Sequence, residues 1–123
     1  MLIQRDLYLQ RLVVRKHNGL IKVVTGIRRS GKSILLMNLF RKHLRETGIN
    51  DAHIIAIEFD RRENRKYRDP DVLLDYLKSR MDDGGDYYVL LDEVQMLNGF
   101  EEVLNSLLYE PNLDIYVTGS NSR

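Results

Sequence analysis

The chain has 123 residues, 43% of them hydrophobic and 30% charged, with no cysteine and a formal net charge of +1. Such a balance excludes a disordered chain, a disulfide scaffold and a thiolate metal site, and no apolar run approaches the ~20 residues of a membrane span. One globular domain with a real core is expected, and the charge gives no global pull toward nucleic acid.

Taken in chain order, Met1-Leu2-Ile3-Gln4-Arg5-Asp6 is broken by charge too early for a signal peptide, which points to the cytoplasm. From Asp6 to about His17 an amphipathic helix is expected, with Leu9, Leu12 and Val13 on one side and Asn18-Gly19 as its end. We expect this helix (residues 1–18) to pack on a core formed by 19–123. Leu20-Ile21-Lys22-Val23-Val24-Thr25 then has the apolar, β-branched character of a buried parallel strand.

Gly26-Ile27-Arg28-Arg29-Ser30-Gly31-Lys32-Ser33 follows and fits G-x-x-x-x-G-K-[ST] without a mismatch. Behind it Leu35, Leu36, Leu39, Phe40 and Leu44 recur at helical spacing, so the loop joins a strand to a helix. In that setting Gly26 and Gly31 let the backbone wrap a phosphate, and N–H groups at the helix start point at the anion. The expected nucleotide contacts are Gly26, Ile27, Arg28, Arg29, Ser30, Gly31, Lys32, Ser33 and Ile34. Lys32 reaches toward the β- and γ-phosphates, and the Ser33 hydroxyl is a ligand for Mg²⁺.

A second strand, His53–Phe59, precedes the polar and basic run Asp60–Arg68, read as a loop. Such runs are usually solvated, and the alternative is a nucleic-acid contact. Asp69-Pro70 supplies an N-cap and a first-turn proline for a helix carrying Val72, Leu73, Tyr76, Leu77 and Met81. After the turn Asp82-Asp83-Gly84-Gly85 comes a third strand, Tyr87-Tyr88-Val89-Leu90-Leu91, which runs into Asp92-Glu93. Asn98 and Glu101 stand three apart ahead of Phe100, Val103, Leu104 and Leu107, the spacing of a capping box. The fourth strand is Asp114–Thr118. Strands alternating with helices predict a mostly parallel α/β sheet with helices on both faces.

Leu90-Leu91-Asp92-Glu93 is a Walker B pattern: Asp92 holds Mg²⁺ through oxygen and water, and Glu93 orients and polarises the attacking water. Thr118, Ser120 and Asn121 are alternative sensors of the γ-phosphate at the end of the fourth strand; Asn121 stands with Glu93 and Lys32 as a candidate catalytic residue. His17, His43 and His53 have no metal-ligand spacing and are read as structural or solvated. Glu58 and Asp60, near the end of the second strand, are weaker candidates for coupling a partner to Glu93.

Gly-x-Arg-Arg-Ser-Gly-Lys-Ser, Leu-Leu-Asp-Glu-Val-Gln and Tyr-Val-Thr-Gly-Ser-Asn, in this order and spacing, resemble the N-terminal ATPase module of prokaryotic AAA+-type proteins that continue into a C-terminal domain of unknown function. The resemblance implies a three-layer P-loop NTPase core with sheet order 2-3-4-1, and ATP with Mg²⁺ as its ligands. It also implies a C-terminal domain missing from this chain, and a homo-oligomer whose neighbour supplies an arginine finger. A fifth strand and a helical lid are not assignable before Arg123, so the core is expected to be truncated after the fourth strand and slow in isolation. Three alternatives stay open: a helicase-like ATPase, on the likeness of Asp92-Glu93-Val94-Gln95 to an Asp-Glu-x-Gln box; a P-loop kinase; and a nucleotide sensor that does not hydrolyse.

Overall fold

Strands that are apolar at every position need cover on both faces, and the central strands here have it. The computed structural model describes residues 21–24, 31 and 34–119. The expected helix Asp6–His17 and the sequence-assigned residues Gly26, Ile27, Arg28, Arg29, Ser30, Lys32, Ser33, Ser120 and Asn121 lie outside the described residues. Four strands, β1 (Lys22–Val24), β2 (Ile54–Glu58), β3 (Tyr87–Asp92) and β4 (Leu113–Thr118), form one parallel sheet in the order β1-β4-β3-β2. Read from the other edge, this is the expected 2-3-4-1.

Every residue of β3 is buried. The period of two along a strand divides the side chains between two cores. Ile55, Ile57, Val89, Leu91, Ile115 and Val117 pack on one face against Leu73, Leu77, Val103 and Leu107. Ile54, Leu90 and Tyr116 pack on the other against Leu35, Leu36, Phe40 and Leu44. The result is the three-layer α/β core of a P-loop NTPase-like fold. Truncating a fully buried leucine such as Leu90 to alanine would cost about 2–5 kcal/mol, because the cavity cannot close from either side.

The helix behind the glycine-rich segment begins as a π-helix over Ile34–Phe40 and continues as α1 (Arg41–Glu46). Gly48, at φ 94°, lets the chain close it: Ile49 N–H donates to Leu44 O at 3.0 Å and Gly48 N–H to Arg45 O at 3.0 Å. These paired bonds are a Schellman closure, and the apolar residues Leu44 and Ile49 both join the adjoining core.

Two local expectations need correction. The run read as a loop contains a 3₁₀-helix, Arg62–Arg68. Its own side chains satisfy strand-end carbonyls: Asn64 Nδ2 donates to Glu58 O at 3.0 Å and Arg68 Nε to Phe59 O at 3.0 Å. The Asn98–Glu101 capping box does not form. Instead Gly99, in the left-handed region at φ 62°, caps α3 (Phe100–Leu107) without a side-chain bond, while Asn98 N–H donates to Arg68 O at 2.9 Å. A long-range backbone bond therefore holds Asn98 away from the cap position. The other cap is as expected: in α2 (Pro70–Arg80), the Asp69 carboxylate accepts from Asp71 N–H at 2.9 Å and proline fills the first turn.

At the amino-terminal end of the sheet, two polar clusters stitch the strands. Lys22 of β1 forms a buried ion pair with Asp114 of β4, and Tyr116 donates its hydroxyl to the same carboxylate at 2.7 Å. His53, at the start of β2, meets the Asp83 carboxylate at 2.6 Å and the Asp86 carbonyl at 2.8 Å, and its ring stacks on Tyr87 at 4.4 Å. Among the described residues no helix is long and apolar enough to cross a membrane.

Candidate functional site

In a parallel sheet all carboxyl ends lie on one edge, so side chains far apart in sequence meet there. Asp92 is the last residue of β3 and Thr118 the last of β4, on neighbouring strands. Val24, at the end of β1, is in register with Thr118. The chain therefore leaves β1 for the glycine-rich segment beside the two acids. Gly31, at the near end of that segment, is helical and buried, and Ile34 is half-buried.

Asp92 and Glu93 are 1% and 2% exposed, and Thr118 is fully buried. Buried carboxylates are costly without donors, and here one hydroxyl serves both residues. Thr118 Oγ1 donates to Asp92 Oδ1 at 2.6 Å and accepts from the Glu93 N–H at 2.9 Å. The second bond pins a residue in an unusual state. Glu93 has φ 57° and ψ 52°, and among the described residues it alone has positive φ without being glycine. That left-handed step bends the chain out of β3 into a 3₁₀ turn, Val94–Met96. The turn brings Gln95 back so that its Nε2 donates to Glu93 Oε1 at 2.8 Å. Gln95 is itself exposed, and its oxygen lies 3.5 Å from where a Cβ on Gly119 would stand.

The strand on the far side braces the same edge. Glu58 is in register with Asp92, and Phe59 N–H donates to Asp92 O at 3.0 Å. The Glu58 carboxylate is taken up by Arg61 Nε at 2.8 Å, so it faces the basic 3₁₀-helix. Of the sequence-assigned residues, Asp92, Glu93 and Thr118 come together. Among the described residues no group of three His, Cys, Asp or Glu converges as a protein-only metal centre would require. A buried carboxylate beside the Thr118 hydroxyl suits Mg²⁺, which binds through one or two carboxylates and keeps several waters.

In the sequence Thr118 stands as one of three alternative sensors, and Gln95 belongs to the Leu-Leu-Asp-Glu-Val-Gln string without a role of its own at the site. Neither contact has a signal in the sequence, since the Thr118 contact depends on the pairing of β4 with β3 and the Gln95 contact on the left-handed step at Glu93.

A parallel sheet in this order, with helices on both faces and an acid pair at its carboxyl edge, defines the class: a P-loop NTPase-like core. Residues 18–123 match the family model described as an AAA domain, and the chain belongs to this family of AAA-type ATPases. A protein of Haemophilus influenzae described as "Uncharacterized protein" is 36% identical over 122 residues, covering 98% of this chain and 30% of its own length. The chain thus spans about a third of that relative's length. No solved structure matches it.

Proposed function

We propose that this chain binds ATP with Mg²⁺ and hydrolyses it as the AAA+-type core of a larger ATPase. The observation that carries the reading is the buried Asp92–Thr118–Glu93 bridge at the edge where β1 opens into Gly26–Ser33. Backbone N–H groups of Gly26 to Ser33 cradle the phosphates, and Lys32 neutralises charge at the β- and γ-positions. Ser33 and Asp92 hold the cation, which supplies charge neutralisation at the phosphate oxygens. Glu93 accepts a proton from the attacking water while the bond from the γ-phosphorus to the bridging oxygen breaks, giving ADP and phosphate. Thr118 fixes Asp92 and the backbone of Glu93, Gln95 steadies the Glu93 carboxylate, and Asn121 contacts the γ-phosphate from the end of β4.

Glu93→Gln is expected to retain ATP binding and lose turnover, read by nucleotide titration beside phosphate release. Wild-type turnover in this variant would remove Glu93 from the role of base. Lys32→Ala is expected to weaken ATP binding at least 10-fold, and unchanged affinity would refute the assignment of Gly26–Ser33.

A further inference from the structure

Residues 61–68 carry five basic side chains and one acid, four net positive charges in a chain whose total is +1. Residues 1–46 are also basic, with 11 Lys or Arg against two Asp or Glu, whereas residues 47–123 outside this segment hold three basic residues and 15 acids, so the segment is a basic island in the acidic part of the chain. Folding uses two of the five cations internally: Arg61 pairs with Glu58 at 2.8 Å and Arg68 Nε donates to Phe59 O at 3.0 Å. Arg62, Arg65 and Lys66 remain exposed and make no ion pair with a described carboxylate.

The 3₁₀ winding sets their geometry. Positions three apart eclipse one another at a rise of about 2 Å per residue, so Arg62 and Arg65 project from the same side about 6 Å apart, while Lys66 is turned by about 120° onto the adjoining side. Their mount is rigid. Asn64 and Arg68 tie the segment to the carbonyls of Glu58 and Phe59, and Arg68 O receives the Asn98 N–H at 2.9 Å. A backbone held in this way loses less freedom on binding an anion than a floppy loop would.

We propose that Arg62, Arg65 and Lys66 form a docking surface for the phosphodiester backbone of a nucleic acid, at the carboxyl end of β2 and next to the Asp92 strand end. Several features favour phosphodiester over an acidic protein. Arg62 and Arg65 present two fork-shaped donors suited to phosphate oxygens, Lys66 adds a point charge beside them, and no large apolar anchor of the kind that dominates protein interfaces is interleaved with them. Tyr67, the aromatic within the run, is half-buried and packs on Tyr76 at 4.8 Å, so it is engaged inside the fold. Contact is therefore to the backbone and independent of base sequence.

Fluorescence anisotropy with labelled single-stranded and duplex oligonucleotides, run from 50 to 200 mM salt, tests this without reference to ATP hydrolysis. Three phosphate contacts give a slope of log K against log salt of about −2 for single strands and about −2.7 for duplex, or roughly a 40-fold loss of duplex affinity across that range. R62A/R65A/K66A is expected to bring the slope near zero, and R62E/R65E/K66E to abolish binding. Because these side chains are exposed, circular dichroism of both variants should match wild type. Reversing Lys42 and Lys78, exposed elsewhere, should change affinity less than about 2-fold. The proposal is overturned if no saturable binding occurs, or if the Lys42/Lys78 reversal weakens binding as much as the triple reversal. It is also overturned if poly-glutamate competes as well as the oligonucleotide at equal charge, which would assign the surface to an acidic protein.

Discussion

Replacing Thr118 by valine removes one oxygen and almost nothing else, so it isolates the bridge between the two acids. In the native structure that oxygen donates to Asp92 at 2.6 Å and accepts from Glu93 N–H at 2.9 Å, all within a buried site. Each buried group left unsatisfied costs about 1–3 kcal/mol, with bonds to ionised groups near the top of that range. Asp92 and Glu93 make further interactions, which cushion the loss, so a net cost of about 2–4 kcal/mol is expected. For a domain of this size that lowers Tm by roughly 10 °C. Urea unfolding of Thr118→Val should show a lower midpoint with an unchanged m-value. Thr118→Ser keeps the hydroxyl and should lose only about 1 kcal/mol, from one methyl group. Valine within about 1 kcal/mol of wild type, or serine as damaging as valine, would refute the bridge as the element that holds this corner.

The buried pair at the opposite end gives a second expectation. Asp114→Ala strands the Lys22 ammonium and removes the Tyr116 acceptor, so unfolding should be easier by about 3–5 kcal/mol, and Lys22→Met/Asp114→Leu should recover much of that; a single variant as stable as wild type would contradict it. The His53–Asp83 contact predicts a pH window. Asp83 is held at about 2, below its ordinary 3.8, by the Gly85 N–H first, then the Tyr87 hydroxyl and His53. Its contribution is present above pH 3.8 and is lost as pH falls toward 2. His53 is raised above 6.5, first by the Asp86 carbonyl and then by Asp83, so its contribution is complete below 6.5 and fades as pH rises past its folded value. Stability measured against pH should therefore have a shoulder between about 4 and 6.5 that His53→Ala flattens, and an unchanged profile would refute the linkage.

The fold was legible because its signals are local and strong. Strand β3 reads as an unbroken apolar run ending in two acids, and Asp69-Pro70 marks a helix start with a cap and a proline in adjacent positions. Each of these features decides its own conformation through nearby atoms. The capping box at Asn98 was misread for the opposite reason: its spacing is right, yet a backbone bond from Arg68, thirty residues earlier, takes the Asn98 N–H and leaves Gly99 to cap the helix. The basic run reads as a loop because charge disfavours burial. The carbonyls of Glu58 and Phe59 that order it come from the end of β2 and the residue after it, outside the basic segment itself.

By itself the sequence determined the class of the protein, its parallel α/β core and the residue types available at the site, because periodicity and glycine spacing act over a few residues. Only the tertiary structure decided which of those residues share an environment. Strand crossover sets Thr118 beside Asp92, a left-handed Glu93 turns Gln95 onto its own carboxylate, and the end of β2 mounts the segment that carries Arg62, Arg65 and Lys66. The physical reason is that each contact needs a group from another element: Thr118 comes from the neighbouring strand to meet Asp92 and to pin the Glu93 N–H, and the basic segment is held by strand-end carbonyls. All therefore depend on the order in which strands pair, which is fixed when the two apolar faces of the sheet are buried together.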